Sequence, residues 1–409
     1  MPSSFSWLDL SDRERRKVLD AIDRFKERDT RDELGLGTIR DSFANRFFPG
    51  TSVVQTRVRY FLFVPWIYQQ LDARRVSAGR IANEGRRAEI VLIQALLDAG
   101  EKEGVIGRMA KQSLQRLPSN VYWLGLRQWG ICGFPGLQDE FHRQVERVRE
   151  WAGSIARDDD GMALAHAPQA WHPGIPPAPA NFPDGVTLAL TPAEAGFLQQ
   201  RIVETTHGSV LHVFARSWED VECPFVWMHP RSTTLPSELQ AVVTHARHFA
   251  MAMQGANLVY YLLLHEKRQR ETGGSVDQVE EVRDRLQTWA SELDTDPSFV
   301  RWDRRDFWPA VRAQVQVPIS TGRFVDEWIE SAPWARRDGG ADCPRARILV
   351  DARERRLKGA RSRLHSTRAL ELWGGFTQAA RMDFRWGTAR SFLRDIHAAL
   401  QEGTDARAQ

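Results

Sequence analysis

Residues 37–61 read GTIRDSFANRFFPGTSVVQTRVRYF. Ile39, Phe43 and Phe47 recur every fourth position, the spacing that lays apolar side chains along one face of an α-helix. The pattern predicts a short helix over 38–47, stopped by Pro49-Gly50. Thr51 or Ser52 then stands where a second helix needs a cap, and 53–72 is apolar on nearly every side, as a buried helix would be. Four arginines, an Asp, a Gln and a Tyr are interleaved with these apolar residues.

The helical period continues outward. Ser11 with Glu14 forms a capping box before the stripe Val18, Leu19, Ile22 and Phe25. Amphipathic patterns predict helices over 88–99, from Leu117 to a stop at Gly130, and over 136–154. Thr191-Pro192 with Glu194 opens another. A long buried helix is expected over 235–270, with more at 276–292, 321–331, 350–363 and 388–401. Strand patterns are few, so the fold class is mainly α. Helices of this length joined by short turns fit helix-turn-helix or winged-helix-like elements. Residues 155–190 hold Asp158-Asp-Asp160 and WHPGIPPAPANFPDG, a linker or an ordered Pro-rich loop. The expected domains are therefore 1–154, the 155–190 connection and 191–409.

Composition narrows the function classes. Only six of the 56 basic residues are lysine, and arginine's planar fork suits phosphates and guanine edges. A GC-rich coding sequence would give the same bias. The three cysteines are far apart, which fits a reducing compartment and neither a disulfide framework nor a structural zinc site. The first residues lack a basic start followed by an apolar run, and the longest apolar stretch, 249–264, carries Gln254 and Asn257. A cytoplasmic protein without a membrane partner is expected.

Two constellations carry most of the chemistry. In the first, a helix starting near Thr51 would present free N–H groups to a phosphate, with Arg40, Arg57 and Arg59 nearby. Gln55 has the donor and acceptor to read a base edge, and Tyr60 offers a stacking face. Asp32, Glu33 and Asp41 are the local carboxylates for acid–base work or cation stabilisation. The alternative is an Arg–carboxylate network tying helices together, with Gln55 as a cap. The second constellation is 343–368, with eight Arg and one Lys against two acids. On a helix from 351, Arg355, Lys358 and Arg361 or Arg363 share one side, as a track along a phosphate backbone would require. The alternative is a solvated basic face.

Other signals are weaker. His245 and His248 could share a metal, but their apolar surroundings favour hydrogen-bonded core histidines. Most of the fifteen tryptophans are expected in the core. No phosphate-binding Gly-rich loop, dinucleotide fingerprint, nucleophile elbow or kinase signature is present. No metal or cofactor is expected.

The stretches SFSWLDLS, TRDELGLGTIRDSFANRFFPGTSVVQTRVRYFLFVPWIY and MDFRWGTAR together resemble a bacterial family of unknown function, over nearly the whole chain. The resemblance implies an anti-phage defence role, and further a DNA glycosylase that excises glucosylated hydroxymethylcytosine from phage DNA. A second resemblance is to helix-turn-helix glycosylases of bacteria, in which one Gln precedes a second Gln or an Asp by two residues. Here Gln55-Thr56-Arg57 replaces that second acceptor with Arg, which puts the carried-over role in doubt. Under the glycosylase reading, Arg40, Arg57 and Arg59 hold the phosphates of a flipped nucleotide. Asp32, Glu33, Asp41 or Asp9 then stabilises charge building on the sugar, while Gln55 and Tyr60 contact the base. The other reading is a non-enzymatic component that binds double-stranded DNA.

Overall fold

A computed structural model describes residues 32–110, 113–153, 170–337, 342–375, 377 and 379–408. Among them the chain forms α1 (Gly37–Phe47), α2 (Tyr60–Ala73), α3 (Ala78–Asp98), α4 (Pro118–Gln128), α5 (Gln138–Gly153), α6 (Pro192–Thr205), α7 (Val210–Arg216) and α8 (Ser237–Thr272). Then follow α9 (Val276–Thr295), α10 (Pro297–Val300), α11 (Phe307–Arg312), α12 (Ile319–Arg337), α13 (Pro344–Lys358), α14 (Thr367–Glu371) and α15 (Trp386–Ala408). The only β-pairing among the described residues is an isolated antiparallel bridge between Cys132 and Trp171. The protein is mainly α, as the periodicity requires. No described helix is long and apolar enough to cross a membrane.

The chain divides into two compact units, each built from separate stretches of sequence. The first comprises 1–42 with 244–382, the second 43–243 with 383–409. This division interleaves the chain, whereas the sequence suggested domains in series around 155–190. Within that span, 170–190 is ordered and packed: Trp171, Phe182, Val186, Leu188 and Leu190 are all buried. Asp158-Asp-Asp160 and the capping box at Ser11 lie outside the described residues.

In the first unit, α8 from Thr244 onward is the central element. Trp289 of α9 and Trp328 of α12 donate their indole N–H groups to the Met251 and Ala252 carbonyls, at 2.7 and 2.8 Å. Bonds to carbonyls already inside a helix require close approach, and Gly255 permits it, since a Cβ there would overlap the Trp289 ring. In the second unit, α2 packs on α3 and α4, α3 on α5, and α6 on α7 and α15. Thr191 and Glu194 form the reciprocal cap expected at the start of α6, and Gly130 adopts a positive φ just past α4.

Gly255→Ala should therefore destabilise the protein by about 1–3 kcal/mol in urea unfolding, because the added methyl has no room. Ala is the better helix former by about 1 kcal/mol. Unchanged or increased stability would show that Trp289 does not approach α8 this closely.

Candidate functional site

The first unit brings together residues from two constellations that are more than three hundred positions apart. Glu33 is buried and accepts hydrogen bonds from Lys358 Nζ, from Arg363 Nη1 at 2.6 Å and from the Tyr260 hydroxyl at 3.3 Å. Lys358 also donates to the Tyr260 oxygen at 2.9 Å and lies 3.7 Å from the Glu354 carboxylate. Glu354 is fully buried and accepts from the Ser362 hydroxyl and from the Arg363 backbone N–H. Two carboxylates thus face two cations, and the formal charges cancel. Burial, reinforced by the Glu33 charge, raises the Tyr260 phenol far above its usual value, so it stays protonated. Burial alone would lower Arg363, but Glu33 and Tyr260 raise it.

The segment supplying these cations does not form one continuous basic side. Helix α13 ends at Lys358, and Gly359 at φ +54° turns the chain away from the helical path. The expected track through 363 is therefore split. Lys358 and Arg363 turn inward to Glu33, whereas Arg355 and Arg361 are exposed. Arg353 is buried as well. It donates to the Leu34 and Gly35 carbonyls and to Thr321 Oγ1, with its guanidinium 5.2 Å from the Phe324 ring. Burial lowers its pKa to about 10. Both acids of the segment are engaged, Asp351 with His365 at 2.8 Å and Glu354 as above. Arg355, Arg356 and Arg368 are exposed and make no ion pair among the described residues.

The other proposed carboxylates sit differently. Asp32 accepts the backbone N–H groups of Leu36 and Gly37 at 2.5 and 2.6 Å, using one oxygen for each, as a cap for α1. Asp41 pairs with the neighbouring Arg40 at 3.2 Å near the surface. Asp9 lies outside the described residues.

Gln55, Arg57, Arg59 and Tyr60 belong to the second unit, where the start of α2 differs from expectation. The helix begins at Tyr60, so no helix N-terminus stands at Thr51 or Ser52 to receive a phosphate. Residues 51–59 are irregular because side chains satisfy their backbone: Gln55 accepts from Ser52 N and donates to the Gly50 carbonyl, and the Tyr122 hydroxyl bonds Thr56 and Arg57. Gln55 is therefore a turn clamp, with both ends of its amide occupied. Tyr60 is buried, stacked on Tyr122 at 5.2 Å, with its oxygen accepting from Ile106 N, so its ring offers no open face. Arg57 pairs with Asp395 at 2.8 Å. Arg59 is buried, bonds Glu194 at 2.7 Å and lies 5.4 Å from the Phe63 ring. In this half of the motif, the arginine–carboxylate network is what the geometry contains.

His245 and His248 are core residues. His245 accepts from the Trp302 indole at 2.8 Å and His248 lies 3.0 Å from the Ser298 hydroxyl. No cluster of three or more metal-ligating side chains occurs among the described residues.

Sequence reading passed over one further network, in the second unit. Glu89 accepts the N–H and hydroxyl of Ser119 at 2.7 and 2.6 Å. Gln138 Nε2 lies 2.7 Å from both the Ser119 hydroxyl and the Tyr68 hydroxyl, which meets His142 Nε2 at 2.7 Å. Burial pushes Glu89 up to about 7 and His142 down to about 4. The signal for it was a Glu on the apolar face of a predicted helix, beside Leu92, Ile93 and Leu96.

Glu33→Gln removes one partner from a buried charge cluster and should cost about 3–5 kcal/mol in urea unfolding. A loss below about 1 kcal/mol would mean the cluster is open to water. For Glu89, the folded protein holds a proton that the unfolded chain releases between pH 4.5 and about 7. Its contribution is present at low pH and lost as pH rises through 7. His142 acts in the opposite sense over an overlapping range, so the comparison with Glu89→Gln isolates the effect. The stability of wild type relative to this variant should fall by up to about 3 kcal/mol from pH 5 to pH 8. A flat difference would mean Glu89 is not desolvated.

Comparison with curated proteins and with solved structures returns no match. A protein-family model matches residues 2–400, nearly the entire chain, and on that match the protein belongs to the family of unknown function DUF6361.

Proposed function

We propose that this protein binds double-stranded nucleic acid through the outward face of α13 and the turn after it. The observation that carries this reading is the sorting of charge within 343–368. Both acids bond inward or to a neighbouring histidine, while Arg355, Arg356 and Arg368 reach solvent without a carboxylate partner among the described residues. Exposed guanidiniums on a fixed helix suit phosphate oxygens, and each phosphate neutralised releases counterions. Binding should be salt-dependent. Arg355→Gln with Arg356→Gln should flatten the plot of log affinity against log salt by about 2 for duplex DNA, read by fluorescence anisotropy. An unchanged slope would remove this face from the interface. Duplex RNA in a parallel titration reports whether the sugar matters.

A second reading, the excision of a modified cytosine from phage DNA, is favoured by one observation: Glu33 is bonded to Lys358 and Arg363 of this same basic segment. In that reading the C1′–N bond breaks with its electrons leaving on the base. Glu33 would have to leave Lys358 or Arg363 to face the positive charge on the sugar, while water adds at C1′ and gives up a proton that passes to the base. The metal-free protein would then release base from DNA carrying glucosylated hydroxymethylcytosine and leave alkali-labile sites, and Glu33→Gln, at a temperature where circular dichroism shows it folded, would bind that DNA without releasing base. Absence of released base by mass spectrometry, with salt-sensitive binding intact, would leave the binding reading alone.

A further inference from the structure

Helix α13 has two acids, and they are placed differently. Glu354 is fully buried, whereas the Asp351 side chain is 42 % exposed. The chain after Gly359 doubles back along the helix, so that Ser362 meets Glu354 and His365 meets Asp351. The Asp351 carboxylate lies 2.8 Å from His365 Nε2, and the His365 side chain is 37 % exposed. An ion pair this open to water contributes little to stability. Its position is more telling. Asp351 stands one turn before Arg355 on the same side of α13, the order and spacing at which an acid and an arginine attract each other. Arg355 nevertheless makes no ion pair among the described residues and points to solvent.

The other acids around His365 are committed elsewhere. On α13, Glu354 accepts from the Arg363 backbone N–H, and Arg347 is bonded to Glu266. In the turn, Arg363 is held by Glu33, as is Lys358. From α8, Lys267 donates to the Arg363 and Leu364 carbonyls at 3.3 and 3.0 Å, and Glu271 lies 3.8 Å from Lys267 and accepts from Thr367. Arg355, Arg361 and Arg368 are exposed on α13, the turn and α14. Asp351 is therefore the one negative charge on the outward basic face, and a single histidine decides whether that charge is cancelled. Histidine is the side chain that changes charge most readily near neutral pH.

We propose that the Asp351–His365 pair gates the basic face of α13 by pH: protonated His365 opens it to the phosphates of a duplex, and neutral His365 closes it. This rests on the binding reading above and adds its regulation. With the imidazolium in place, Asp351 is neutralised and Arg355 is left to a phosphate. With the neutral ring, Asp351 keeps a full negative charge beside Arg355 and competes with phosphate for that guanidinium. Bound phosphates in turn favour the imidazolium. Binding therefore takes up a proton, and affinity rises as pH falls.

The test is fluorescence anisotropy of a labelled duplex DNA with the full-length protein at about 0.1 M salt. Affinity should rise about fivefold or more from pH 8 to pH 5.5, the effect of one more phosphate neutralised. The plot of log affinity against log salt should be steeper by about 0.9 at the lower pH. His365→Gln should hold the wild-type pH 8 affinity across the whole range. Asp351→Asn should bind about fivefold or more tighter than wild type at pH 8. Both side chains are half-exposed, and circular dichroism checks that the variants fold. The proposal is overturned if His365→Gln keeps the full pH response, or if Asp351→Asn binds no tighter than wild type at pH 8. Salt-sensitive binding that needs Arg355 and Arg356 but ignores pH overturns it and leaves the binding reading standing. No binding at either pH, or binding indifferent to Arg355→Gln with Arg356→Gln, removes both.

Discussion

A charge moved out of water must meet an opposite charge or several hydrogen bonds, and both units are organised around that requirement. In the first unit Glu33 and Glu354 are taken inside, and Lys358, Arg363, Tyr260 and Ser362 converge on them. In the second, Glu194 caps α6 with one oxygen and holds Arg59 with the other. The helices therefore cannot slide against one another within a unit as a purely apolar core would allow. Moving any of these side chains by an ångström or two would strand a buried ion. Specificity of packing, more than added stability, is the expected return from such pairs.

This requirement explains which parts of the fold were legible in the sequence. The helix at 37–47 was readable because Ile39, Phe43 and Phe47 mark one face. The start of α6 was readable because Thr191-Pro192 and Glu194 act within one turn. The start of α2 was not, because it is decided by Tyr122, a residue 66 positions from Thr56 that occupies the backbone of 51–59. The end of α13 turned on a single glycine, Gly359, whose left-handed conformation no periodicity anticipates. The interleaving of the two units was invisible because local patterns do not encode which distant segments pair.

The candidate site was legible in its residue types and not in its grouping. A charge-rich, aromatic-rich stretch reads equally as a binding surface or as a buried network, and only burial separates the two. Gln55 and Tyr60 have their polar atoms engaged by neighbouring protein groups, and Arg59 has both terminal nitrogens so engaged. Along 353–363 the same residue type divides by position: Arg353 holds backbone carbonyls inside, and Arg355, two residues on, is in solvent. A composition count cannot tell these two apart. A helix of known end and register can.

The pairing of Glu33 with Lys358 and Arg363 closes loops of 325 and 330 residues. On a ribosome adding about 5–20 residues each second, Glu33 emerges roughly 15–65 s before either cation exists. During that interval its carboxylate stays hydrated and the first unit lacks its internal counter-charge. The second unit waits too, for its last segment, 383–409. Neither half can complete its fold early in synthesis, so the nascent chain carries long helices with apolar faces before their partners arrive. That is the condition in which a polypeptide depends most on chaperones, and it follows here from the order in which one acid and two bases were placed along the chain.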